Sequence, residues 1–262
     1  MLDALSPQRR RVVLAAAGLV LLLVGALVVA AALRAAAPSP AVRQDEPGPV
    51  LLVPGYGGQG DSLQPLASAL RATGRTAVVV PGVGDGTGDL QAQAVHLAQV
   101  VEDLRAETGA GSVDVIGYSA GGVVARLWVR EHGGDAVARR VLTLGAPQHG
   151  TSQAALGREL AGGCPTACEQ LVPDSDLLRR LNAGDETPDG PEWVTLRSTT
   201  DRVVTPVDSA TLEGALNVVV QEVCPGSAAG HADLPDSPAT RALVASALGA
   251  SPATRPPVLA GC

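Results

Sequence analysis

The chain has 262 residues, 46% hydrophobic and 17% charged, which suits one α/β domain with an appendage and a well-buried core rather than disorder. Its net charge is −7, and all 19 basic residues are arginine. The missing lysine excludes a P-loop, a pyridoxal Schiff base and a Ser-x-x-Lys acylation site, and the acidic balance argues against a nucleic-acid partner.

Arg9, Arg10 and Arg11 precede a run from Val12 to Leu33 without a charge. As a helix that run is ~33 Å long, enough to cross a bilayer. The arginine cluster keeps the N-terminus in the cytoplasm and sends the rest outward. Residues 1–34 are therefore expected as a cytoplasmic stub and an uncleaved, single-pass signal anchor in the cell membrane. Export with cleavage at Ala35-Ala36-Ala37 is the alternative, disfavoured by Pro38 just beyond the cut. Residues 35–49, with Pro38, Pro40, Pro47 and Pro49, read as a linker. Four basic residues and one acidic residue lie before Arg43, so the remainder carries a net charge of −10. That suits an acidic domain in an oxidising compartment.

From Val50 to residue 249 strand and helix patterns alternate, the signature of an α/β fold: a mostly parallel sheet with helices on both faces. Strands are expected at Val50–Val53, Thr76–Val80, Val113–Ile116, Val141–Leu144, Trp193–Leu196 and Asn217–Val220. One helix, capped by Asp61 or Ser62, carries Leu63, Leu66 and Leu70 and stops at Gly74. A second starts at Asp89 and repeats Leu90, Ala94, Leu97, Val101 and Leu104, ending at Gly109 and Gly111. The last covers Ala239–Leu248, and 250–262 is a Pro-rich tail. Residues 151–191 break the rhythm with two weak helical patches and no strand, as a cap or lid, or a structural crossover, would.

All four cysteines follow residue 160. Cys164 and Cys168 form a close pair, which leaves Cys224 for Cys262. Four free thiols or a zinc site are the rivals; zinc lacks a second close Cys or His pair. No metal or organic cofactor is expected.

The chemistry centres on Gly117-Tyr118-Ser119-Ala120-Gly121-Gly122. It follows a β-branched run and precedes an apolar helical segment, the context of a nucleophile elbow. With 31 glycines the motif alone is unspecific. A serine needs a base, and the base needs an orienting acid, in the order Ser, acid, His. Three histidines follow Ser119, and His132 lies at the end of the elbow helix, which leaves His149 and His231. His231, in a loop before the last helix, is the candidate base; the acids preceding His149, Glu131 and Asp135, lie at the far end of the elbow helix. His96 and His132 fall in helices. Asp201, just after a strand, is the candidate acid, with Asp208 and then Asp233 as competitors. The backbone amides of Ala120 and Tyr56 are the candidate oxyanion donors, Tyr56 lying in the loop Pro54-Gly55-Tyr56-Gly57-Gly58.

Five motifs occur in order: Val53 to Gly58, Gly117 to Gly122, Leu144-Gly145-Ala146-Pro147-Gln148-His149-Gly150-Thr151, Asp201-Arg202-Val203-Val204 and Gly230-His231. Together they resemble secreted, actinobacterial-type triacylglycerol lipases and esterases of the α/β-hydrolase superfamily. The resemblance covers about Val50 to Leu248. It implies that Ser119, Asp201 and His231 form a catalytic triad, that Tyr56 and Ala120 form the oxyanion hole, and that acyl esters or lipids are cleaved. An acyltransferase or thioesterase with the same triad is the alternative; a non-catalytic binding module is the third. Two departures bear on substrate preference: Pro54 stands in place of a common His, and Gln148 where many relatives have His.

Overall fold

A computed structural model describes residues 8, 11, 14, 16, 18–26, 42–58, 60–251 and 259. The chain divides into two units, Met1–Pro40 and Ala41–Cys262. In the first, residues 18–26 are helical, and 19–26 are exposed. Much of the expected Val12–Leu33 anchor lies outside the described residues; among those described, no helix is long and apolar enough to cross a membrane.

The second unit is built on six strands: β1 (Val50–Val53), β2 (Ala77–Val79), β3 (Val113–Tyr118), β4 (Ala138–Leu144), β5 (Glu192–Arg197) and β6 (Leu216–Val219). Their order is β2-β1-β3-β4-β5-β6, and every pairing is parallel. Helices α1 (Gln64–Ala72), α2 (Leu90–Thr108), α3 (Ala120–Glu131), α4 (Ser152–Ala161), α5 (Thr166–Gln170), α6 (Asp176–Leu181), α7 (Val220–Val223) and α8 (Pro238–Ala247) complete it.

The period of two along each strand divides the core. Leu51, Val53, Val115 and Val141 pack with α2, α3 and residues of α4 to α6 on one face. Val50, Leu52, Ile116, Leu142 and Val194 pack with α1 and α8 on the other. Both faces of the parallel sheet are thus covered, which is why its strands read as continuous apolar runs.

Three expectations need correction. α1 begins at Gln64 after a turn at Asp61–Leu63, and no side chain caps it; Pro65, in its first turn, supplies a fixed φ without needing a donor. β6 ends at Val219, because Val220 already opens α7. β4 starts three residues earlier than expected, since Arg139 and Arg140 lie within it and break its apolar signal. Both are completely buried. A register shift between Val113 and Asp114 makes Arg139 the extra residue opposite them. Its guanidinium clasps Asp114 with two bonds, of 2.9 and 2.6 Å.

Part of the expected linker docks on the sheet. The Pro49 carbonyl accepts from the Asp114 amide at 2.9 Å, and the Gln44 carbonyl from Arg139 at 3.0 Å. Residues 151–191 hold three short helices and no strand. Cys164 and Cys168 form a disulfide there, with Cα atoms 5.8 Å apart. Cys224 is buried and not free; Cys262, its expected partner, lies outside the described residues.

Candidate active site

β3 ends at Tyr118 and α3 begins at Ala120, so one residue makes the turn between them. That residue, Ser119, has φ 52° and ψ −127°. Such backbone costs a non-glycine residue about 1–3 kcal/mol and persists only where the surroundings enforce it. Here they do. A side chain at Gly117 would meet Gly122 Cα at 2.5 Å, and one at Gly121 would meet the Pro54 carbonyl oxygen at 2.5 Å. The Ser119 amide donates to the Leu144 carbonyl at 2.9 Å, tying the turn to the end of β4.

Parallel strands place their carboxyl ends on one rim, and the partners of Ser119 come from the loops beyond it. Asp201 lies four residues past β5, buried. Its Oδ1 accepts from the amides of Val203 at 2.8 Å and Val204 at 2.9 Å. Its Oδ2 faces His231 Nδ1 at 2.7 Å. On the other edge of the ring, His231 Nε2 stands 3.0 Å from Ser119 Oγ. Burial alone pushes the Asp201 pKa up. The hydrogen bond to His231, the charge of His231 and the two amides outweigh it and hold the carboxyl below its ordinary value. The anion is therefore kept where it orients Nδ1–H and leaves Nε2 able to accept the serine proton.

The competing residues are engaged elsewhere. Asp233 Oδ2 accepts from the Gly230 amide at 2.9 Å, fixing the turn that carries His231. Asp208 pairs with Arg197 at 3.3 Å, its side chain exposed. His149 pairs with Glu186 at 2.6 Å. His96 lies in α2 and His132 follows α3. Among the described residues, the Nε2 atoms of both are buried without a partner.

The loop after β1 packs directly on the elbow: a Cβ at Gly55 would be 3.0 Å from Ser119 Cβ. Tyr56 and Ala120 therefore flank the serine. Among the described residues neither of their amides donates to another acceptor. The amide of Ala120 opens α3, where a helix N-terminus favours negative charge.

Two contributors escaped sequence reasoning. Tyr118 lies with its ring centroid 5.2 Å from that of His231 and donates from its hydroxyl to the His231 carbonyl at 3.2 Å. Burial, then the charges of Asp201 and Asp233, push its phenol pKa up to about 12. Gly145, at φ 55°, leaves room for the acid–base pair. A Cβ there would lie 2.6 Å from Leu234, and 3.2 Å from both Asp201 Oδ2 and His231 Nδ1. The signal for Gly145 was present as a glycine at a strand end, but its target was invisible without the fold. Gly145→Ala should press on the Asp201–His231 pair and lower kcat about 10-fold, short of the roughly 10²-fold that a full 1 Å displacement costs. Steady-state kinetics on a soluble ester, with the far-UV spectrum as a folding control, checks this; kcat within threefold of wild type removes the role.

A cavity of about 260 Å³ opens at Ser119, bounded by Tyr56, Pro147 and residues of α4 and α5. A larger one, about 350 Å³, lies between α1 and α8, and none of Tyr56, Ser119, Ala120, Asp201 and His231 lines it. The chemistry selects the smaller.

The family profile described as alpha/beta hydrolase fold matches residues 48–159. Among solved structures, the chain is similar to Aspergillus fumigatus lipase B, with TM-score 0.67 and 20% identity over 77% of this chain and 52% of that one. It thus spans about half of that lipase. The mature form of the Bacillus licheniformis lipase BlEst2 matches with TM-score 0.63 and 18% identity, over 78% of this chain and 92% of that one. A metagenomic carboxyl esterase matches at TM-score 0.50 and 15% identity, over 65% and 62% of the two chains. No curated protein matches the chain. Likeness at these identities establishes the fold.

Proposed function

We propose that this chain, which has the α/β-hydrolase fold, hydrolyses carboxylic esters of acyl groups, acyl lipids among them, through an acyl-enzyme on Ser119. One observation carries the reading: His231 bridges Ser119 and Asp201 with contacts of 3.0 and 2.7 Å at a strained strand-to-helix turn. Ser119 Oγ attacks the ester carbonyl while His231 Nε2 takes its proton. Asp201 holds the ring and stabilises its charged form. The amides of Tyr56 and Ala120 receive the oxyanion, each such donor being worth roughly 10²–10³ in kcat. His231 then protonates the departing alcohol, and water, deprotonated by the same ring, releases the acid.

A fluorophosphonate probe tests this directly. It should label the protein once, and peptide mapping should place the label on Ser119. Absence of labelling, or a label on another serine, would refute the reading.

We also place the 50–249 domain outside the cytoplasm, tethered through the Val12–Leu33 run. The arginines at 9–11 and the Cys164–Cys168 disulfide support this. In whole bacterial cells expressing the full chain, with the outer barrier opened, added protease should degrade the domain and spare a cytosolic marker. Full protection would contradict the topology.

A further inference from the structure

The cavity at Ser119 is lined on its cap side by Ala154 of α4, Cys168 of α5 and Leu171, with Val204 from the loop after Asp201. Two of its polar neighbours are already engaged. Thr151 donates to the Val203 carbonyl and accepts from the Thr205 amide; Gln153 donates to the Arg202 carbonyl. Among the described residues no charged side chain lines the cavity. What remains for a ligand beyond Ser119 and Tyr56 is a mainly apolar, uncharged surface.

The cap wall is held from both ends. The Ala167 amide donates to the Thr87 carbonyl at 3.0 Å, and Gln170 bonds Asp89 and the Leu90 amide at 2.6 and 2.8 Å. These tie α5 to the start of α2. On the other side, Gly162 and Gly163 join α4 to α5 with φ of 68° and 137°, a connection with little stiffness of its own. The Cys164–Cys168 disulfide closes that connection onto α5, and Cys168 packs against Ala154 and Gly157 of α4. The disulfide therefore folds the end of the connection onto α5 and leaves Gly162 and Gly163 as its free part, while the Cys168 sulfur itself is the contact of α5 with α4.

We propose that this cavity receives the acyl chain of a linear ester up to about eight carbons long, and that the wall formed by α4 and the disulfide-braced α5 sets the limit. This rests on the ester-hydrolase reading above. A methylene occupies about the space of a water molecule in the liquid, roughly 30 Å³. A cavity of about 260 Å³ then holds about eight or nine carbons. Up to that length each added methylene is buried and raises kcat/KM by as much as about fourfold, equivalent to ~0.8 kcal/mol per CH₂. Beyond it the chain projects into solvent and the gain stops.

The test is kcat/KM for p-nitrophenyl esters from acetate to dodecanoate, each below its solubility limit and normalised to fluorophosphonate-labelled sites. The wild type should rise to octanoate and then break. Ala154→Leu adds three carbons to the cavity wall and should move the break down by about three carbons; Leu171→Ala should move it up by as many. The two variants act in opposite senses, so misfolding of one leaves the other to decide. Reduction of the disulfide should broaden the break. A profile that keeps rising to dodecanoate, that is flat, or that both variants leave unmoved overturns the proposal. Absence of labelling together with no turnover of any ester sinks the hydrolase reading itself; labelling with a flat profile sinks this inference alone.

Discussion

Ser119→Ala is expected to lower kcat on a soluble ester by roughly 10⁶-fold, Asp201→Asn by roughly 10⁴-fold, and the double variant no further than Ser119→Ala alone. The inequality follows from what each group does. Without Ser119 Oγ there is no covalent step, and His231 has nothing to activate. Without the Asp201 charge, Ser119 and His231 remain, but Asn can donate to Nδ1 and so favours the tautomer whose Nε2 carries the proton and cannot accept one. The residual rate in each case comes from the oxyanion donors and from binding, which neither change touches. Near-normal turnover of Asp201→Asn would return the role to another carboxylate, although Asp208 and Asp233 are bonded elsewhere. Additive losses in the double variant would mean the groups do not act as a unit.

Asp201 also gives the site a defined response to acid. Its folded pKa lies below the ordinary value. The stability it contributes is therefore present above the unfolded carboxyl pKa of about 3.9 and is lost as pH falls through the lower, folded value. Asp201→Asn should flatten that part of the acid unfolding curve.

How the chain declares its fold differs from element to element. β1 was legible because parallel strands covered on both faces are apolar throughout, and Val50–Val53 are all buried. The start of β4 was not, because Arg139 and Arg140 look like surface residues until Asp114 is seen against the first and Glu192 against the second. Ser119, Asp201 and His231 could be singled out because the elbow demands small neighbours and the fold sets the order of the others. Gly145 and Tyr118 could not, since what they contact comes from loops 56 and 113 residues further along the chain. The cap showed as an interruption with two weak helical patches where three helices stand, because two of them have only five or six residues and too few turns to display a period.

Asp114→Asn should destabilise the domain by about 3–5 kcal/mol, a fall of roughly 6–20 °C in Tm, while sparing kcat per folded molecule. Asp114 and Arg139 both have fully buried side chains, and Arg75 joins the same carboxylate at 2.6 Å. The Arg139 guanidinium also donates to the carbonyls of Gln44, Leu248 and Gly249, so one cation joins the segment before β1, β3 and the end of α8. Removing the anion strands a buried charge whose remaining partners are neutral carbonyls, and that loss of compensation is costlier than the ion pair itself is stabilising. The pair Asp114→Leu with Arg139→Met tests the distinction. It discards both fully buried charges and leaves only the partly exposed Arg75, which keeps its carbonyl partners, so it should recover much of the stability that Asp114→Asn loses. Urea and thermal unfolding of the three proteins decide it. A loss below about 1 kcal/mol for Asp114→Asn would show that water or a shifted backbone compensates Arg139; a double variant no better than the single would mean the hydrogen bonds, rather than the buried charge, dominate there.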